Sequence, residues 1–395
     1  MTIRMDKLIK AVSEALDIVE GELLGASTHH GKRVAALSAA MGIRFQMDES
    51  HLRALTICAL MHDNALTEYI LAEKEGDYHD PSMKLHCEYG QKNIDAFNLN
   101  ADGYILYHHE RADGKGPYNK KAGEIPLGAE IIAIADTVDV IHHLQKITPA
   151  DLPRVRKSIA KNTGTLFTGD TAEAMLDVLD EEMLFLLKDE SIVAASERFV
   201  RPWTVNIEND LIIKLAEFVT RIIDYKSKFT KRHCAGIAEK AWYMGGVYRY
   251  SGSLRAQFYL AAALHDIGKL ATPTAILEKP GPLNREEFDV IKEHVHLTYD
   301  LLKNIDGLEK ISVWASNHHE KLDGSGYYFG KKADELDFNS RLLACLDIYQ
   351  ALTEERPYHA GKDHKAAMEI LSGMGRQGLL DTNIIGDLDE ALAGI

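Results

Sequence analysis

Residues 253–269 read SLRAQFYLAAALHDIGK, an apolar stretch at helical spacing that runs directly into His265, Asp266 and Lys269. Apolar side chains three and four apart build one buried face of a helix. The histidine–aspartate pair at its end then sets an imidazole beside a carboxylate where the chain leaves that face. One such pair carries little, because a histidine next to an aspartate is most often a capping or core residue. Its meaning depends on the rest of the chain.

The rest of the chain repeats it. The second half holds KRH at His233, LHDIGK at His265, KEH at His294, HHEKLDG at His318 and CLD at Asp347. The first half holds the same words in the same order: HHGKRVA at His29 and His30, MHD at His62, KLH at His86, HHERADG at His108 and IAD at Asp136. From His30 to His233, and on through the paired words, the offsets are 203, 203, 208, 210 and 211. A small drift in one direction is what a duplicated domain shows when its loops lengthen. The largest step falls in the loop holding Pro273, Pro280, Gly281 and Pro282.

The helical patterns AEAMLDVLDEEMLFLLKD (172–189) and NDLIIKLAEFVTRIID (209–224) flank the divide, with ERFVRPWT (197–204) as the linker. The expected domains are 1–195 and 207–395. In FNSRLLACLDIYQALT (338–353), Leu342, Leu346, Tyr349 and Leu352 again fall three or four apart, and few stretches alternate with period two. The expected fold class is all-α, two tandem helical bundles. Glycines mark a tight loop in DGSGYYFG (323–330), beside the second histidine pair.

Composition bounds the function. The chain has 395 residues, 46% hydrophobic and 27% charged, with only 10 prolines, which describes packed domains rather than disorder. Its formal charge of −15 argues against binding a DNA or RNA duplex. Its N-terminus lacks the apolar core of a signal peptide, and no run reaches the roughly 20 apolar residues of a membrane span. The four cysteines, Cys58, Cys87, Cys234 and Cys345, are far apart, as in a reducing cytoplasm, the expected location. Imidazole and carboxylate together suit iron, manganese or zinc, and a carboxylate can bridge two cations. With donors drawn from five separated segments, the site lies inside the bundle.

The second half closely resembles the HD-GYP branch of the HD metal-dependent phosphohydrolases, helical enzymes that hydrolyse cyclic dinucleotides, and the first half resembles it more loosely. The resemblance makes His233, His265, Asp266 and Asp347 ligands of one divalent cation and His294, His318 and His319 ligands of another, with Asp266 as the bridge. It assigns catalysis to Asp266 and Lys269, with Lys269 holding phosphate and Tyr327 and Arg356 contacting substrate. Two neighbouring cations acidify a shared water and neutralise charge on the phosphate oxygens. Iron or manganese is the expected metal. Members with a third cation carry a glutamate four residues before the first histidine, where this chain has Phe229 and Ala26, so two cations are expected. The signature reads Gly326, Tyr327, Tyr328, without its proline.

The first copy keeps a matching set, His30, His62, Asp63, His86, His108, His109 and Asp136, and is expected to hold metal. Leu66 and Gln145 stand where the second copy has Lys269 and Arg356, and Tyr118 comes one place late in Gly116, Pro117, Tyr118. A weakly active or regulatory module is therefore expected there. Glu110 and Glu320 follow the histidine pairs and are expected to hydrogen-bond ligating imidazoles. His29, His142, His143, His296, His359 and His364 fall outside the pattern, and Tyr243, Tyr248 and Tyr250 are expected in the core.

The resemblance implies linearisation of cyclic di-GMP, with 3',3'-cyclic GMP-AMP as the alternative substrate, a homodimer, and a functional link to diguanylate or dinucleotide cyclases. A non-catalytic receptor or scaffold and a hydrolase of simple nucleotides are the competing classes.

Overall fold

The computed structural model describes residues 1–24, 28–66, 69, 83–95, 97, 99, 101–224, 226, 227, 232–355 and 361–394. Arg356, Phe229, Ala26 and His359 lie outside the described residues. The chain forms two compact units, Met5–Trp203, and Met1–Arg4 together with Thr204–Ile395. Both are helical bundles. No described helix is long and apolar enough to cross a membrane, and the four cysteines are buried.

In the first unit the helices that matter for the site are Met5–Leu24, His30–Arg44, Glu49–Leu60, Lys84–Asp95 and Leu127–His142. Val34, Leu37 and Met41 form the buried stripe of His30–Arg44, with Leu55, Ile57 and Ile131 also in the core. Asp48 caps Glu49–Leu60 by accepting from the His51 N–H. The long pattern at 172–189 is two helices, Gly169–Val178 and Glu181–Leu186, because Asp180 stops to cap the second through the Met183 N–H.

The second unit repeats this order with Asn209–Asp224, His233–Val247, Gly252–Leu264, Arg285–Leu302 and Phe338–Thr353, and adds the short helix Glu309–Ser316 before the last of them. Ile212, Leu215, Phe218, Val219 and Ile222 make the buried face of the first of these. Asn284 and Glu287 form a reciprocal capping box at Arg285, and Asp337 caps Phe338–Thr353.

The N-terminus departs from the expected domain boundary. Thr2–Arg4 is a strand, antiparallel to Thr204–Asn206, so the first four residues complete the second unit rather than the first. Gly307, in the left-handed region at φ 93°, admits this strand: a Cβ there would lie 2.0 Å from the Thr2 carbonyl oxygen. The expected linker is correspondingly structured. Glu197–Phe199 end a helix, the Trp203 N–H donates to Asp6, and Thr204 opens the strand.

Candidate metal centres

Helix Gly252–Leu264 ends at His265, and residues Ile267–Ala271 continue as a tight 3-10 turn. Gly268 lets this turn touch helix Arg285–Leu302, for a Cβ there would lie 2.0 Å from the His294 carbonyl oxygen. Thr298 fastens the contact, accepting from the Gly268 N–H (3.1 Å) and donating to the His265 carbonyl (3.0 Å). This brings Asp266 against His294. In the first unit Ala65 takes the place of Gly268 and Gly90 that of Thr298, so the small residue has moved to the other helix.

Around Asp266 the donors divide by oxygen. Oδ2 lies 3.2 Å from His265 Nε2 and 3.8 Å from His233 Nε2, while Oδ1 lies 3.3 Å from His294 Nε2 and 3.7 Å from His318 Nε2. Asp347 completes both sides, with Oδ1 3.2 Å from His233 Nε2 and Oδ2 3.5 Å from His319 Nδ1. All seven expected ligand positions of the second domain therefore meet in one buried cage. Lys269 Nζ lies 2.6 Å from Asp266 Oδ2. The Tyr327 ring lies 4.6 Å from the His319 ring.

The first cage has the same arrangement. Asp63 Oδ2 faces His62 Nε2 at 3.4 Å and its Oδ1 faces His86 Nε2 at 3.0 Å, while Asp136 Oδ1 lies 3.2 Å from His30 Nε2. The donor atoms of Asp63, His86, His108 and His109 all lie within 4.8 Å of one another. Leu66 is buried where Lys269 stands in the second cage. Tyr118 donates to Glu88, the residue that corresponds to His296, on which Tyr328 stacks, so Pro117 corresponds in sequence to Tyr327.

The donors suit divalent cations. His62, His265, His294 and His318 direct Nδ1 at the carbonyl three residues back, at 2.6–2.9 Å, which places the proton on Nδ1 and leaves the Nε2 lone pair for the cage. Nε2 of His62, His86, His108, His109 and His265, and Oδ1 of Asp266, are buried without a hydrogen-bond partner, a costly state that a cation relieves. Burial lowers His294 to about 4 and His319 to about 3, so both are neutral. Burial also disfavours charge on His233, but hydrogen bonds to Asp347 and Glu354 outweigh it and raise this histidine to about 9. Cys234 shares a possible donor group with His265 and Asp266, yet burial and then Asp224 and Asp266 hold its thiol well above the ordinary range. In the metal-free protein it is therefore a thiol.

Some expected roles change. Among the described residues Glu320 hydrogen-bonds no imidazole. It accepts from the N–H groups of Phe329 (2.8 Å), Gly330 (3.2 Å) and Lys331 (2.8 Å), and Glu110 likewise accepts from Tyr118 and Lys120. A tight glycine loop exposes backbone donors that its own chain cannot satisfy, and these carboxylates satisfy them. The imidazoles are oriented instead by Glu354, 3.0 Å from His233 Nδ1, and by Asp139, 2.7 Å from His30 Nδ1 and clamped by the fully buried Arg33. The signal in sequence was their spacing: Asp139 is one helical turn beyond Asp136, and Glu354 two turns beyond Asp347. Tyr248 and Tyr250 donate to Asp387 and Asn339, while Tyr243 is exposed rather than in the core.

Two helical bundles, each closing imidazoles and carboxylates into a buried cage, define a predominantly helical protein with side-chain clusters that could hold metal. The chain belongs to the HD domain family, whose profile matches residues 11–147 and 217–384, one segment around each cage. The 3'3'-cGAMP-specific phosphodiesterase 1 of Vibrio cholerae is 29% identical over 94% of this chain and 88% of its own. The 3'3'-cGAMP-specific phosphodiesterase 3 of the same organism is 28% identical over 78% of this chain and 67% of its own. The cyclic di-GMP phosphodiesterase of Thermotoga maritima is 32% identical over 42% of this chain and 46% of its own. The crystal structure of a cyclic GMP-AMP specific phosphodiesterase of V. cholerae (V-cGAP3) shares the fold, with a TM-score of 0.67 at 20% identity, covering 100% of this chain and 99% of that one.

Proposed function

We propose that the second domain is a metal-dependent phosphodiesterase that opens a bacterial cyclic dinucleotide to its linear form. The observation that carries this reading is the division of Asp266, one oxygen toward His233 and His265 and the other toward His294 and His318, with Lys269 beside it. His233, His265, Asp266 and Asp347 would hold one cation, and His294, His318 and His319 the other. Nitrogen and oxygen donors without thiolate favour iron or manganese. Bound there, two cations supply the charge that acidifies water and screens a phosphodiester. The chain's own groups do the rest. Lys269, whose side chain keeps 19% of its exposure, offers an ammonium to a phosphate oxygen arriving from solvent. Tyr327 walls the cage on the His319 side, and Glu320 holds the loop that carries it. Arg356 is retained as a substrate contact on the resemblance alone.

For the substrate, the two V. cholerae relatives that match 78% or more of the chain are named for 3'3'-cGAMP, which favours that dinucleotide over cyclic di-GMP. A dinucleotide cyclase is the enzyme class that must supply it. The test is initial rates on both dinucleotides with manganese or ferrous iron. Faster turnover of 3',3'-cyclic GMP-AMP is expected, and no turnover of either would overturn the reading.

The first cage favours a different role, as a metal-holding partner without turnover, because Leu66 and Pro117 replace the lysine and the cage-facing tyrosine.

A further inference from the structure

We propose that Phe288 is a nucleobase-stacking residue of the second-domain site, an exposed ring that holds one base of the cyclic dinucleotide while the phosphate beside that base lies at the cage. The proposal rests on reading that cage as the phosphodiesterase site.

The cage opens on one side. The side chains of His233, His265, Asp266, His294, His318 and Asp347 are 8% exposed or less, whereas His319 keeps 21% and Lys269 19%. Substrate therefore arrives past His319 and Lys269. Tyr327 stands on that side, its ring 4.6 Å from the His319 ring, and the Phe288 ring meets Tyr327 edge to face at 5.9 Å. Phe288 is thus two ring steps from the cage. One sugar separates a nucleobase from its phosphate, a span of the same order.

A single exposed apolar ring is ordinary on a protein surface. Phe288 differs in being both held and open. It is 44% exposed at the start of helix Arg285–Leu302. One turn along, Lys292 places Nζ 5.3 Å from the ring centre and is itself paired with Asp289 at 2.5 Å. The loop carrying Tyr327 is fixed as well, because Tyr328 stacks on His296 of the same helix (4.8 Å, 18° between planes) and Glu320 accepts from the Phe329 and Lys331 N–H groups. A ring whose position is set beforehand loses little freedom when a base covers it. Every base has a face to stack, so such a ring serves guanine and adenine alike.

The first copy lacks the ring. Asp80, outside the described residues, stands six residues before His86, as Phe288 stands six before His294. The copy proposed to be without turnover thus has no aromatic residue in the corresponding place of its sequence.

The test uses the full chain loaded with manganese. Phe288→Ala is expected to raise KM about tenfold on both 3',3'-cyclic GMP-AMP and cyclic di-GMP, with kcat changed less than about threefold and metal content unchanged. Phe288→Trp should keep KM within about threefold of wild type, while Phe288→Leu, apolar but without an aromatic face, should behave as the alanine variant does. A KM within about threefold of wild type in the alanine variant, or one restored by leucine, would overturn the stacking role. Calorimetry with a phosphorothioate analogue of 3',3'-cyclic GMP-AMP separates this outcome from failure of the wider reading. If wild type cleaves neither dinucleotide yet binds the analogue, and Phe288→Ala weakens that binding about tenfold, the reaction assigned to the site falls and the stacking role stands. A wild type that neither cleaves the dinucleotides nor binds the analogue would overturn both.

Discussion

Lys269 Nζ lies 2.6 Å from Asp266 Oδ2, the oxygen that faces His233 and His265. The ammonium thus sits on the carboxylate proposed to join the two cation positions, and the first domain has Leu66 at the same place. Lys269→Leu is expected to lower kcat/KM by about 10²–10³-fold while the second cage keeps its metal. Steady-state kinetics with metal analysis check this, and a loss below about threefold would remove Lys269 from the mechanism.

Asp266→Asn replaces one of the two anionic oxygens by an amide nitrogen that cannot accept a cation. Hydrolysis is expected to fall at least about 100-fold. The matching first-domain change, Asp63→Asn, should leave the rate within about threefold. Equal losses from both would contradict the assignment of catalysis to the second domain.

Proton release reports the cages directly. In the metal-free protein His233 is raised to about 9, and His30 is raised well above its ordinary 6.5 because Asp136 and Asp139 outweigh its burial. Metal loading at pH 7.5 should therefore release about one proton per cage, and none from His233 well above pH 9. Calorimetry in buffers of different protonation heats measures it. A raised folded value also means that the stabilising contribution of His233 in the metal-free protein is complete below 6.5 and lost as pH rises through about 9. His294 and His319, lowered to about 4 and about 3, act in the opposite sense: their contribution is complete above 6.5 and is lost as pH falls toward 4.

Gly268→Ala sets a methyl group 2.0 Å from the His294 carbonyl oxygen, backbone that cannot turn aside. The 3-10 turn and the His294 helix must separate, at a cost of at least about 2 kcal/mol, and the two halves of the second cage separate with them. Thermal unfolding and metal content should both fall.

Removing residues 1–4 takes away the strand partner of Thr204–Asn206 and the Arg4 N–H donated to the Asp306 carbonyl at 3.1 Å. The second domain's unfolding transition should drop by at least about 2–4 °C in a scan that follows each domain, with the first domain unchanged. A chain of residues 207–395 alone should show the same weakness.

The helices and the cage residues were legible in the sequence because both depend on local spacing. Apolar side chains three and four apart announce a helix wherever it packs, and histidine and aspartate words repeated some 200 residues apart expose the duplication without any contact being known. What the spacing could not show is where a side chain points once distant segments meet. That Asp266 splits its oxygens, that Glu320 serves a loop rather than an imidazole, and that Thr2–Arg4 completes the second domain all follow from unsatisfied polar groups finding partners across the fold. Hydrogen-bonding and charge are satisfied by proximity in space, whatever the separation along the chain, so only the tertiary structure decided them.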